Sequence, residues 1–291
     1  MVATASPAPV SRHPALLFLS SVVRRRVVLI AAIALACLAV IAIFAPLVAP
    51  LDPSQMQVTK RLRPPGGEFL FGTDEFGRDV LSRLIFGARV SLAIGFMVVV
   101  IATTVGTVLG LVAGYIRRLD GPMMRLTDAM MAFPDILLAI ALVAVLGSGL
   151  FNVIAALGIV YTPRVARIVR ASCLVIREMQ FVDSAVATGA SRFRIMFSEI
   201  LPNLVSPIIV QSTFLFSYAV LTEAALSYLG LGVPPTTPSW GNMIAAGQQF
   251  IYQARWLIII PGLTIAATVV CLQIVGDGLR DALDSKLRRL F

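Results

Sequence analysis

The chain has 291 residues, 58% of them hydrophobic and 13% charged, with a mean hydropathy of +0.91 and a formal net charge of +9. Soluble domains carry about a quarter charged residues, so this chain lacks the charge to cover a water-facing surface and reads as an integral membrane protein. Its basic residues sit at the ends of apolar runs rather than in one patch interleaved with aromatics, which argues for a topology signal and against a nucleic-acid partner.

Residues 1–26 form a cytoplasmic tail rich in Pro and Ser. Arg24, Arg25 and Arg26 then precede an uncharged stretch, Val27 to Leu51. That stretch is too long for the core of a cleaved signal peptide, so residues 27–49 are expected to be a first transmembrane helix. Residues 50–89 follow as an external segment, rich in Pro and Gly at Arg63-Pro64-Pro65-Gly66-Gly67. Residues 90–285 hold the remaining apolar runs: 90–116, 136–163, 200–222 and 256–276. A bilayer crossing takes about 20 apolar residues, and the run 136–163 suits either one long helix or two broken at Gly147-Ser148-Gly149. Charge decides between them. With two helices there, borrowing Ala129–Asp135 at one end and Pro163–Arg170 at the other, seventeen basic residues face the cytoplasm and seven the outside. That is the positive-inside distribution. The expected fold is all-α and integral to the membrane: six transmembrane helices, both termini cytoplasmic, and a short tail at 286–291. Gly106, Gly110 and Gly114 recur at helical spacing in the second span, a pattern that lets helix backbones approach closely.

The search for catalytic and metal-binding patterns returns little. Cys37, Cys173 and Cys271 are far apart, and His13 has no ligand partner nearby, so neither a disulfide framework nor a metal site is expected. Neither lysine, Lys60 nor Lys286, has the glycine-rich lead-in of a phosphate loop. No cofactor is therefore expected in this chain. Among ionisable groups within the spans, Glu223 stands near the outer boundary of the fifth. It reads as a pathway or gate carboxylate, or else as a helix-packing one. Asp128 and Asp135 flank the inner end of the third span, as caps or cytoplasmic contacts.

Residues 164–202 carry the most information. The stretch is long for a bare connection between spans, and it mixes charge with apolar residues as a segment docking on a cytoplasmic partner would. It reads as a helix, a turn broken at Gly189, and a second short helix stopped by Pro202. Asp183-Ser184-Ala185, then Gly189, then Leu201-Pro202, resemble the "EAA" cytoplasmic loop of ABC importer permeases, with Asp183 in place of the usual Glu, Ser184 in place of the first Ala and Glu199 in place of an aliphatic residue. Three further stretches narrow the likeness: Phe71-Gly72-Thr73-Asp74-Glu75-Phe76-Gly77-Arg78-Asp79, Asp128-Ala129-Met130-Met131-Ala132-Phe133-Pro134, and Glu223-Ala224-Ala225-Leu226-Ser227-Tyr228-Leu229-Gly230 running on to Pro238-Ser239-Trp240-Gly241. Together they resemble the C-type permease subunit of dipeptide, oligopeptide and nickel ABC importers, over residues 20–285.

That resemblance implies a type I importer permease with the methionine-importer-permease fold, in the cell inner membrane. It implies a homologous second permease subunit, two ATP-binding subunits that hold ATP and Mg, and an external solute-binding protein. The coupling segment would dock on the ATP-binding subunits through Asp183, Ser184, Ala185, Gly189, Ala190, Ser191, Arg192, Leu201 and Pro202, although Gly189 also suits a plain helix C-cap. Asp74, Arg78 and Asp79 would either meet the binding protein or tie their own loop to the bundle. The expected activity is transport, with no enzyme chemistry in this chain: import of dipeptides or short oligopeptides, with nickel or another small solute as the alternative cargo. An ion-gradient-driven transporter would instead show a midplane carboxylate pair and an internal repeat, and neither is evident.

Overall fold

Within lipid every backbone polar group has to be satisfied inside its own segment, which helices do. The computed structural model describes residues 26–287 and is helical along each of its long apolar runs. Helix α1 spans Arg26–Ile43, α2 Val80–Tyr115, α3 Arg117–Met131, α4 Asp135–Leu146 and α5 Leu150–Arg177. They are followed by α6 (Gln180–Ala187), α7 (Leu201–Tyr228), α8 (Trp240–Gly247) and α9 (Trp256–Leu287). The tail residues 1–25 and 288–291 lie outside the described residues.

Helix α2 starts at Val80 rather than at residue 90, because Asp79 caps it: its carboxylate accepts from the Ser82 amide at 2.8 Å and the Ser82 hydroxyl at 2.7 Å. At 36 residues α2 is about 54 Å long, well beyond the ~30 Å hydrocarbon core. It packs mainly on α5, and the glycines set how closely. A Cβ on Gly106 would stand 2.7 Å from Cβ of Val165, one on Gly110 2.7 Å from Cβ of Val169, and one on Gly114 2.7 Å from Cβ of Cys173. Gly158 of α5 returns the favour against Ile101. These contacts rise together along both chains, so α2 and α5 run in the same direction.

Two parallel helices require the chain to travel back between them. It does so through α3 and α4, which meet at Ala132-Phe133-Pro134 with a 92° bend. Helix α4 has 12 residues, about 18 Å, so the third crossing is short. Of the stretches that charge counting lent to this region, residues 129–131 belong to α3 and turn away with it, so they do not lengthen α4, whereas residues 163–170 do extend α5, which runs unbroken through Pro163. The Gly147-Ser148-Gly149 break between α4 and α5 is where it was expected.

Helix α7 runs antiparallel to α2: Glu223 faces Ser91, Phe216 faces Gly95, and Ser212 faces Thr103. Helix α9 packs on α7 where Gly276 meets Phe214, and on α1 where Gly278 meets Val28. The start of α1 and the end of α9 therefore fall at the same end of the bundle as Tyr115 and Arg177. The interior is apolar, from Ile94, Val98 and Ala102 to Leu157, Tyr161 and Leu215. The outward faces are apolar too, as at Val27, Ile30 and Leu263, which suits contact with lipid.

Two glycine substitutions separate packing from helix propensity. Gly110→Leu is expected to destabilise the chain by about 1–3 kcal/mol through overpacking against α5. Gly262→Ala in α9, whose Cβ meets nothing within 4 Å, should stabilise it by ~0.5–1 kcal/mol. Thermal melting of the detergent-solubilised chain checks both signs.

Candidate functional site

The segment between α5 and α7 is built around a short helix held between two long ones. Helix α5 ends at Arg177, and after a two-residue turn α6 runs Gln180–Ala187. Val182 is buried and Ala185 packs on the core, which fixes α6 to the bundle. Asp183, Ser184, Phe181 and Val186 face outward. Gly189 adopts φ +77° and closes α6: its amide donates to Val186 O at 3.0 Å and the Ala190 amide to Ala185 O at 3.1 Å. This is the Schellman pattern, and the left-handed backbone is what favours glycine there. A Cβ at Gly189 would meet nothing within 4 Å, so the surrounding space is open on this chain.

Ser191 then caps the next turn, accepting from the Arg194 amide at 3.3 Å. The chain enters a wide turn of π type at Ile195–Ile200 and continues directly into α7. Pro202 does not stop this helix. It follows directly on the π turn, inside a helix that runs on through it, and the wide turn before it accommodates a residue without an N–H. Leu201 packs on the core and Pro202 is exposed. The result is one helical rod from Arg192 to Tyr228, 37 residues long, with its exposed start carrying Arg192 and Phe193. Phe193 stacks on Phe197 with ring centroids 4.4 Å apart.

Beside α6, a cleft of about 550 Å³ opens between the ends of α2, α3 and α5, lined among others by Arg117, Arg118, Arg177, Asp183 and Arg192. The same end carries a ladder of ion pairs. Arg164, Arg167 and Arg170 repeat every third residue on α5 and reach Asp135, Asp128 and Asp120 in turn. Arg170 and Asp120 pair twice, at 2.8 and 2.6 Å, in the bidentate geometry that gives orientation as well as energy. Asp128 and Asp135 thus make contacts at this end, with α5 as their partner. The arginine spacing is visible in sequence; its aspartate partners lie 29 to 50 residues away and are not.

At the opposite end Glu223 is 0% exposed. Its carboxylate accepts from the Ser227 hydroxyl at 2.8 Å and from the Ser91 hydroxyl at 3.0 Å. Ser91 Oγ in turn accepts from the Trp240 amide at 3.4 Å, and Trp240 Nε1 donates to Leu84 O at 3.1 Å. Glu223 therefore sits where α7, α2 and the start of α8 meet. Ser91 and Trp240 are the members that sequence reasoning missed, since they stand 132 residues or more from their partners.

Asp74, Arg78 and Asp79 are 4%, 7% and 4% exposed. Arg78 Nε donates to Asp74 Oδ2 at 2.6 Å, Arg83 Nε lies 3.5 Å from the same oxygen, and Asp79 caps α2. Gly77 takes φ +73° with its α-hydrogen side against Gln57, where any Cβ would fall on the Gln57 carbonyl. All three charges are thus buried, with partners in their own loop and at the start of α2.

Removing the shared acceptor at this junction has a defined cost. Glu223→Ala leaves two buried hydroxyls unpaired and is expected to lose about 1–3 kcal/mol of stability, seen as a lower Tm. Glu223→Gln keeps a carbonyl acceptor and should lose less. Uptake that falls in Glu223→Gln at an unchanged Tm would instead mark the carboxylate as part of the pathway.

The comparisons with known proteins agree with this architecture. Residues 106–289 match the family described as binding-protein-dependent transport system inner membrane component, and residues 17–65 match the N-terminal transmembrane domain of oligopeptide transport permease C. A di/tripeptide transport system permease protein of Pseudomonas aeruginosa is 49% identical over 254 residues, covering 85% of this chain and 84% of that one. A dipeptide transport system permease protein of Alkalihalophilus pseudofirmus is 47% identical over 249 residues, covering 85% and 82%. Among solved structures, an inward-facing methionine ABC transporter matches with a TM-score of 0.57 at 20% identity, over 68% of this chain and 95% of the other, and so shares the fold. The chain belongs to the family of binding-protein-dependent transport system inner-membrane components, as a multi-pass permease subunit rather than an enzyme.

Proposed function

We propose that this chain is the permease subunit of a peptide ABC importer, moving dipeptides or short oligopeptides into the cytoplasm. The cargo reading is supported by the peptide permeases it resembles along most of its length. One observation carries the coupling reading: α6 is suspended between α5 and the 37-residue rod that contains α7, so a force on α6 acts on two long helices at once. In this proposal the α6 end faces the cytoplasm with both termini, and Asp183, Ser184, Ala185 and Gly189–Arg192 seat on one of two ATP-binding subunits, with Leu201 and Pro202 behind them. Those partners hold ATP and Mg; this chain holds neither. A homologous permease completes the pathway, and an external solute-binding protein delivers the peptide.

Closure of the ATP-binding subunits would press on α6. Helix α5 carries the displacement to α2 through the glycine contacts, and α7 carries it to the outer junction at Glu223. Both ends then bias one two-state element, as binding at two coupled sites requires.

The test is an affinity pull-down of the full chain from gently solubilised membranes, wild type beside Gly189→Arg. The wild type should bring a second permease and P-loop ATPases; Gly189→Arg should keep the permease, lose the ATPases and lose peptide uptake. Gly189→Asn, which tolerates the left-handed backbone, controls for folding and should melt close to wild type. A wild-type chain that comes alone or only with itself overturns the proposal.

A further inference from the structure

A groove of about 630 Å³ runs between α1 and α2, and eleven of its twelve lining residues are apolar. It exists because the facing side chains are small: Ala36, Ala39 and Ala42 repeat along α1, and Ala93 opposes them on α2. Leu35, Phe96 and Phe216 complete the walls. The twelfth lining residue is Arg89, which is exposed and makes no ion pair or hydrogen bond among the described residues.

Depth gives this arrangement its meaning. Arg89 lies about 39 Å along α2 from Tyr115, at ~1.5 Å per residue. With Tyr115, Arg117 and Arg118 at one interface and a hydrocarbon core of ~30 Å, Arg89 reaches the headgroup layer of the other. The groove descends from there along Leu35–Ile43, about 12 Å of α1, which is most of the depth of one leaflet. An apolar trough at acyl depth thus has an unpaired guanidinium at its mouth, at headgroup depth. Guanidinium pairs with phosphate through two parallel hydrogen bonds, and the bilayer supplies phosphate at that level.

We propose that this groove binds one anionic phospholipid of the outer leaflet, whose headgroup has no cation of its own to compete for the phosphate, with its phosphodiester on Arg89 and an acyl chain along the alanines of α1. The lipid fills space that the two helices leave open, and so fastens α1 to the core at its outer end. Helix α1 depends on such support: most of its apolar surface faces outward, with only Val28, Ala31 and Ala42 buried along its length. The site is independent of the cargo and of the docking of α6.

The experiment uses the full chain, purified with its partners and reconstituted in nanodiscs of equal phosphatidylglycerol and phosphatidylcholine. Native mass spectrometry then reads the lipid retained on release. The wild type should keep phosphatidylglycerol in preference. Arg89→Gln, a surface change, should reduce that preference about tenfold, the loss of one charge-assisted contact. Ala39→Phe fills the trough and should abolish retention with Arg89 intact. A photoreactive residue at Ala93 should attach to lipid. Equal retention in wild type and both variants, or attachment of Ala93 to the second permease rather than to lipid, would overturn the proposal.

Discussion

Everything else in this bundle depends on the close contact of α2 with α5. Lipid tails are as apolar as leucine, so helices in a bilayer gain little from burying apolar surface and associate through close packing instead. Gly106, Gly110 and Gly114 remove the side chains that would hold the two backbones apart. Because the two helices run in parallel, the chain between them has to cross back. The bend at Ala132-Phe133-Pro134 and the short α4 are the consequence. A short crossing is tolerable there because α4 packs on α5, its own successor.

Polar groups are concentrated at the two ends of the bundle, where they do different work. The three Arg–Asp pairs on α5 are a quarter to three-fifths exposed. Pairs of that kind contribute little stability one by one. Their value is geometric, since they hold α3 and the start of α4 in register with α5 beside the segment that carries α6. At the far end Glu223 and Asp74 are buried and have partners within a few ångströms, Glu223 in two hydroxyls and Asp74 in Arg78. A buried charge left unpaired is costly, so these clusters join α2, α7 and the loop before α2 firmly. The molecule thus has a firmly tied junction at this end and a more solvated opposite end, with stiff helices between.

That asymmetry suits a subunit worked from one side. Helix α6 is small, anchored by Val182 and Ala185, and presents Phe181, Val186 and Asp183 outward. The rod that follows it is helical through Pro202, so movement at its start has no flexible joint in which to dissipate. Gly189 ends α6 with its left-handed backbone, and a Cβ there would meet nothing within 4 Å on this chain.

Sequence alone determined the class. Low charge, long apolar runs and arginines gathered at their ends dictate a membrane bundle, because lipid admits little else. The EAA-like run of Asp183-Ser184-Ala185, Gly189 and Leu201-Pro202 located the exposed segment between the long helices, since a turn glycine and a run of mixed polarity leave local signals. What sequence could not supply were contacts between residues far apart in the chain. Pro202 reads as a stop until the π turn before it shows that the helix runs on through it. Asp74, Arg78 and Asp79 read equally as a contact surface or as ties for their own loop until the fold shows them buried, and Glu223 meets Ser91 only when α2 is folded against it. Local chemistry is written in neighbouring residues. Burial and partnership are properties of the packed chain, and only the tertiary structure decides them.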